Sequence, residues 1–203
     1  MFKTPAKSSR LMSVLLAAPL AALCAAPILA ADTNSDNEYA PLMEMYMTLT
    51  VSNWVADATV LDAIRAQNAK TSGLSEAEII ALDDEWRASD ETGALQRGVL
   101  ETASSDFLRD MVAASDGMVS EVFVTDAVGL NVAASVATSD YWQGDEDKFS
   151  MTYSVGVDAI HIGDMEVDAS TGAYQGQASM TITDPDTGAP IGSVTVGLLP
   201  DFF

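Results

Sequence analysis

The 203-residue sequence predicts an α+β domain, helices first and an antiparallel sheet after them. Three observations carry this. Apolar residues recur at three- and four-residue spacing from Met43 to Ile64, the period of a helix. After Gly117 the period changes to two, the period of strands. Turn chemistry at Asp126-Ala-Val-Gly-Leu-Asn131 and Asp184-Pro-Asp-Thr-Gly188 then separates consecutive strand-like runs, so that they return on themselves as hairpins.

Ahead of the domain stands an address. Lys3, Lys7 and Arg10 precede an apolar run from Leu11 to Leu29, and Ile28-Leu29-Ala30 before Ala31-Asp32 offers the small residues a signal peptidase needs. Residues 1–31 therefore read as a secretory signal peptide, which places the mature chain in the periplasm or outside the cell. The alternative is anchoring to the inner membrane by an uncleaved leader. Leu11 to Ala31 is just long enough to span, but Pro19, Pro27 and the alanine content make it a poor anchor. Cys24 follows Leu23, which is no lipobox. Residues 32–40 are polar at their start and read as a flexible tether. Cleavage leaves 172 residues, one domain with its own core, and removes the single cysteine, so disulfides and thiolate chemistry are excluded. It also leaves six Lys/Arg against thirty Asp/Glu, a net of −24, which disfavours nucleic acid and anionic membrane surfaces.

The helical half begins at Pro41, a residue suited to a first turn. Met47, Val51, Trp54, Ala58 and Leu61 form a stripe that Met43, Val55 and Ile64 widen, and one helix is expected to about Asn68. Such a helix outruns a small sheet, so part of it is expected to pack on a second subunit. Ser75 caps the next helix, with Glu78 completing a capping box and Leu74 and Ile79 forming a hydrophobic staple. A third helical region covers about Ala94 to Ala114; Ser104 or Ser105 is placed to restart it, and Gly117 ends it.

In the second half Val122-Phe-Val124 is a strand, and Val132 to Ala137 returns from the Asp126–Asn131 turn. A loop follows that holds Asp140, Tyr141, Trp142, Asp145, Glu146, Asp147 and Lys148. Adjacent Tyr and Trp left in water forgo about 2 kcal/mol of burial each, so a core, a ligand or a partner must cover them. Met151 to Val157 and Ala159 to Val167 read as strand-like, Ala173 to Thr183 as the clearest strand, and Ile191 to Leu198 as its partner. One sheet face is apolar and fits the long helix. The other carries Gln177, Ser179, Thr181, Ser193 and Thr195, either a solvated open face or the floor of a pocket whose lid is the Tyr141–Lys148 loop.

Three segments in this order resemble the single-Cache (PDC, PAS-like) sensor domains of bacterial extracytoplasmic receptors. Phe123-Val-Thr-Asp-Ala-Val-Gly-Leu-Asn-Val-Ala133 is similar to their first hairpin, Thr138-Ser-Asp-Tyr-Trp-Gln-Gly-Asp-Glu146 to the segment capping their ligand cavity, and Ile182-Thr-Asp-Pro-Asp-Thr-Gly-Ala-Pro-Ile-Gly-Ser-Val-Thr-Val-Gly197 to their last hairpin. Upstream, Ala66-Gln-Asn68 and Leu82-Asp-Asp-Glu-Trp-Arg87 are similar to the helical part. The resemblance covers about Pro41 to Leu199. It implies a long N-terminal helix, with further helices, on one face of a roughly five-stranded antiparallel PAS-like sheet, and pairing of two copies through that helix. It also implies a cavity for a small amine, amino acid or carboxylate. Carried onto this chain, the pocket implies Asp126, Asp140, Tyr141, Trp142, Lys148, Tyr153 and Asp184. Tyr141 and Trp142 would wall it, Asp140 or Asp184 would pair an ammonium, and Lys148 would meet a carboxylate. Asp126 and Asp184 also suit the turns they begin. Family sensors usually continue through a membrane helix into a signalling module, whereas this sequence stops at Phe203. The expectation is a free sensing subunit that acts through a membrane receptor kinase or chemoreceptor, or a ligand-free scaffold in such a complex.

Catalytic chemistry finds no footing in the sequence. There is no Gly-x-Ser-x-Gly elbow, no His-Glu-x-x-His and no phosphate-cradling glycine loop, and carboxylates are too plentiful to single out a pair. His161, between Ile160 and Ile162, reads as a packed or surface residue. Asp145-Glu-Asp147 and Asp184-Pro-Asp186 lack the ligand alternation of a dedicated Ca²⁺ loop. No enzyme activity, metal or cofactor is expected.

Overall fold

A computed structural model describes Met1 and residues 37–89, 93–168 and 171–202. The leader, Cys24 and most of the tether lie outside the described residues. Asn37, at the tether's end, is buried and donates its Nδ2 to the Gly163 carbonyl at 2.9 Å. Among the described residues no helix is long and apolar enough to cross a membrane.

The helical half differs from the single long helix expected. It is α1 (Ala40–Tyr46), a π-helical turn (Met47–Val51) and α2 (Ser52–Val55), then a break before α3 (Ala58–Thr71). Side-chain competition explains it. Thr48, Ser52 and Asn53 each donate back to the carbonyl four residues earlier, at 2.9, 2.7 and 2.8 Å, which loosens the ladder. Asp57 then takes an extended conformation and caps α3 by accepting from the Thr59 N–H at 2.8 Å. The apolar stripe survives the break, since Met43, Met47, Val51, Val55, Val60, Leu61 and Ile64 are all buried. The next helix, α4 (Glu76–Ala88), starts at the Ser75–Glu78 capping box. The region expected from Ala94 to Ala114 is α5 (Ala94–Leu100) and α6 (Ala103–Ala114), and Thr102, not Ser104 or Ser105, restarts it. Ser105 is buried, donating to the Val99 carbonyl and accepting from the Ala134 N–H.

Five antiparallel strands follow: β1 (Val119–Thr125), β2 (Asn131–Ala134), β3 (Ile160–Val167), β4 (Tyr174–Thr183) and β5 (Pro190–Leu198), in the order β2-β1-β5-β4-β3. Residues 151–157, expected as a strand, form turns behind α7 (Asp147–Ser150), and Met151, Val155 and Val157 point to solvent. One sheet face, with Val122, Val124, Val194, Val196 and Leu198, closes the main core against α1–α3 and α6. On the other face Phe123 joins a second core with Ile79, Trp86, Val99 and Tyr141, while α7 packs over β3 and β4. This sheet order behind N-terminal helices is the PAS-like α+β arrangement.

Candidate functional site

The register assembles the polar face into rows. Phe123, Thr195, Ser179 and His161 are mutual neighbours across β1, β5, β4 and β3; Thr125, Ser193 and Thr181 form the next row. Side chains opposite one another share a face, so the hydroxyls meet. Thr125 and Ser193 lie 2.8 Å apart, and Ser179 and Thr195 2.9 Å. An open face would leave these groups to water, yet Ser179, Thr181, Ser193 and Thr195 are all at most 4% exposed. The face is roofed. Each hydroxyl pair spends one proton on its shared bond and keeps a second donor, and the Thr181 hydroxyl is buried with no partner at all. Such an orphan ordinarily costs about 1–3 kcal/mol, so the layer is built short of acceptors.

Residues 138–142 lead into the roof and are held by one side of α4. Asp83, buried, accepts from the backbone N–H of Tyr141 at 2.9 Å and of Trp142 at 3.0 Å through Oδ1, and pairs with Arg87 through Oδ2. Trp86 stacks on Tyr141 with ring centroids 5.3 Å apart and donates its indole N–H to the Thr138 carbonyl at 2.8 Å. Arg87 reaches Asp140 at 2.9 Å. Asp83, Trp86 and Arg87 stand at i, i+3 and i+4, which is why one helix face delivers all three.

The strap then crosses the β1–β2 turn. Leu130 and Trp142 form an antiparallel bridge, the Gln143 N–H donates to the Gly129 carbonyl at 2.8 Å, and the Trp142 indole N–H donates to the Val128 carbonyl at 2.9 Å. This approach needs glycine twice. A Cβ on Gly129, whose φ is +87°, would sit 2.6 Å from the Gly144 Cα, and one on Gly144 would sit 2.2 Å from the Trp142 indole nitrogen.

The seven residues implied by the resemblance do not converge on one point. Tyr141 is buried against Trp86, and burial with the nearby Asp126 charge pushes its hydroxyl up to about 12. Trp142 covers the β1–β2 turn. Asp140 faces Arg87. Asp126 is fully buried and saturated: Oδ1 accepts from the N–H groups of Val128 and Leu130, Oδ2 from Gln67 and Thr71. Asp184 takes two bonds from Arg65, at 2.8 and 2.9 Å, which with its own turn amides hold its carboxyl down to about 2. Tyr153 stacks on Phe149 at 5.0 Å, and burial raises its hydroxyl. Lys148 bonds Glu146 at 2.9 Å and lies 5.7 Å from the centre of the Phe123 ring.

Of these, Lys148 alone borders the cleft that opens on the polar face. That cleft, about 210 Å³, runs between α7 and the β3–β4 edge, with Asp147 and Lys148 above and His161, Asp164, Glu166, Gln177 and Ser179 below. Sequence reasoning missed His161, Asp164 and Glu166, since nothing local marks an edge strand's outward residues as a wall. It missed the Asp83–Trp86–Arg87 clasp too, although its helical spacing was legible.

Fold and site together define a PAS-like α+β domain whose polar sheet face lies beneath a strapped loop. No family model matches the chain, and no curated protein does. Among solved structures it is similar to the sensor domain of the V. cholerae histidine kinase DctB, at 12% identity over 79% of this chain and 49% of that one, with a TM-score of 0.42. The extracellular domain of the putative histidine kinase rpHK1S-Z16 matches at 16% identity over 80% and 56%, also at 0.42. The E. coli DcuS sensor domain matches at 16% identity over 69% and 93%, at 0.37. The chain thus spans about half the length of the first two.

Proposed function

We propose that this chain is an exported single-Cache sensing protein that binds a small molecule beneath the Asp140–Lys148 lid and signals through a separate membrane receptor kinase or chemoreceptor. One observation carries the reading: a sheet face rich in hydroxyls is buried, and it opens to solvent by a polar cleft where Ser179, Gln177 and His161 lie below Asp147 and Lys148. A cleft of about 210 Å³ is smaller than the ~300–1,000 Å³ of drug-sized sites, so it suits an amino acid, amine or organic acid of few heavy atoms. Lys148 belongs to the cleft; Tyr141, Trp142 and Asp140 fix the lid, and Tyr153 with Phe149 backs it. A thermal-shift panel of amino acids, amines and organic acids tests this, since a ligand at 100 times its Kd stabilises by about 2.7 kcal/mol. If no compound raises the melting temperature, the sensing reading fails.

A scaffold subunit is the second reading, favoured by two observations. Tyr141 and Trp142 are covered by their own chain and need no ligand. Leu42, Met45 and Leu49 form an exposed apolar stripe on α1 and the π turn, which suits a second copy or a partner's helix. Association lost on Leu42→Ser/Leu49→Ser but indifferent to Lys148→Ala would favour it.

A further inference from the structure

β4 outruns its neighbour. β3 begins at Ile160, opposite Met180, while β4 continues to Thr183. Backbone groups along a strand point alternately to its two sides. The Thr181 N–H points to the β3 side, donating to the Ala159 carbonyl at 3.0 Å, and the Asp184 N–H points to the β5 side, donating to the Ala189 carbonyl at 2.9 Å. The N–H and C=O of Thr183 therefore face the β3 side, where no strand lies among the described residues. The cause is the turn ahead of β3. Gly156 and Asp158 take positive φ, 122° and 62°, and bring the chain in at the level of Met180. Elsewhere this edge is guarded: along β3 the register slips between Ile162 and Met165, Asp164 and Glu166 are exposed, and Asn37 holds the Gly163 carbonyl. At Thr183, itself half-buried, a cleft of about 180 Å³ opens instead, walled by Val55, Leu61, Met180, Ile182 and Pro185. Asp158 is the one charged residue of its lining and forms no ion pair among the described residues.

We infer that this step in the sheet is a docking site for an extended, basic segment of a partner protein, which adds to β4 in line with β3. The inference stands whether or not the polar cleft under the lid holds a ligand. Each property of the occupant answers something in the site. The outward main-chain groups of Thr183 call for a main chain, since strand addition is how an unpaired sheet edge takes a peptide. The cleft beside them has room for one aliphatic side chain, and an added strand sends alternate residues to one face, so one enters while its neighbours point away. Charge selects the flanks: Asp158 and the chain's net −21 attract lysine or arginine. The same charge disfavours a second copy, which brings another −21.

The test is titration calorimetry with amide NMR on the purified protein and four end-capped pentapeptides. They are Lys-Val-Leu-Val-Lys, its acidic counterpart Glu-Val-Leu-Val-Glu, its polar counterpart Lys-Ser-Ser-Ser-Lys, and the first peptide N-methylated at its three central residues. The expected result is saturable binding of Lys-Val-Leu-Val-Lys with shifts at the Thr181 and Thr183 amides. The acidic and the methylated peptides bind at least about tenfold more weakly, and the serine peptide does not saturate. Thr183→Pro removes an N–H that no strand uses, so the edge tolerates it, and binding falls by at least about tenfold. Asp158→Asn keeps a residue tolerant of positive φ and narrows the preference for the lysine over the glutamate peptide. A methylated peptide that binds as tightly as its parent overturns strand addition, and it does so even where Thr183→Pro fails to fold. Tighter binding of the glutamate peptide overturns the basic partner, and equal binding of the serine peptide overturns the apolar anchor. A dimer in sedimentation that Thr183→Pro dissolves makes the occupant a second copy and overturns the assignment. Binding of none of the peptides overturns the site.

Discussion

Asp83→Ala tests the lid's attachment most directly. The carboxylate accepts from two consecutive backbone N–H groups, those of Tyr141 and Trp142, and its residue is 2% exposed. Alanine leaves both donors without an acceptor, at about 1–3 kcal/mol each where water cannot reach them. The Tyr141 amide is buried and the Trp142 amide partly so, which places the sum at about 2–4 kcal/mol. Losing the Arg87 contact adds little, because Arg87 is more than half exposed and surface pairs contribute at most about 1 kcal/mol. Asp83→Asn keeps an acceptor oxygen but not its charge, and charge-assisted bonds are about twice as strong as neutral ones, so it should fall near half the alanine effect. Urea unfolding gives the two values, and hydrogen exchange at residues 141 and 142 localises them. A loss below about 1 kcal/mol for Asp83→Ala, or protection at the two amides unchanged, would refute the clasp.

Three further outcomes follow from other contacts. Asp184, its carboxyl held down to about 2 chiefly by Arg65, stabilises the fold fully above the ordinary aspartate value and progressively less as pH falls from about 4 towards 2; Asp184→Asn should lose that segment of the pH–stability curve, read from urea midpoints. Gly144→Ala drives a methyl into the Trp142 indole, so the strap should lift, with a change in tryptophan fluorescence and a loss of about 1–3 kcal/mol. Ser105→Ala removes the acceptor of the buried Ala134 N–H and should cost about 1–3 kcal/mol, with faster exchange at Ala134; an unchanged midpoint would show that water replaces the hydroxyl.

What could be read from the sequence was what short range decides. The Ser75–Glu78 box, the Asp126 turn and the alternation of β4 and β5 each rest on residues within four positions of one another, and each stands as expected. The helix from Pro41 failed for a reason also local but easily outvoted: seven apolar residues kept the helical period across Ala56–Asp57, while one aspartate in extended conformation broke the backbone beneath them. Periodicity reports which face is buried, and it survives a break that preserves the face. The Met151–Val157 run misled in the opposite way, alternating like a strand although Met151, Val155 and Val157 are exposed, because β-propensity without a neighbouring strand has nothing to pair with. The site lay furthest from view. Tyr141 and Trp142 demanded a cover, and a ligand was one of three that would serve; the cover for Tyr141 is Trp86, fifty-five positions earlier, and the donors of Trp142 end on Asp83 and Val128. Satisfied aromatics cease to argue for a ligand. The weight then moves to the buried hydroxyl rows of Thr125, Ser193, Ser179 and Thr195 and to the unpartnered Thr181 hydroxyl, which are visible only once strand register has set them side by side.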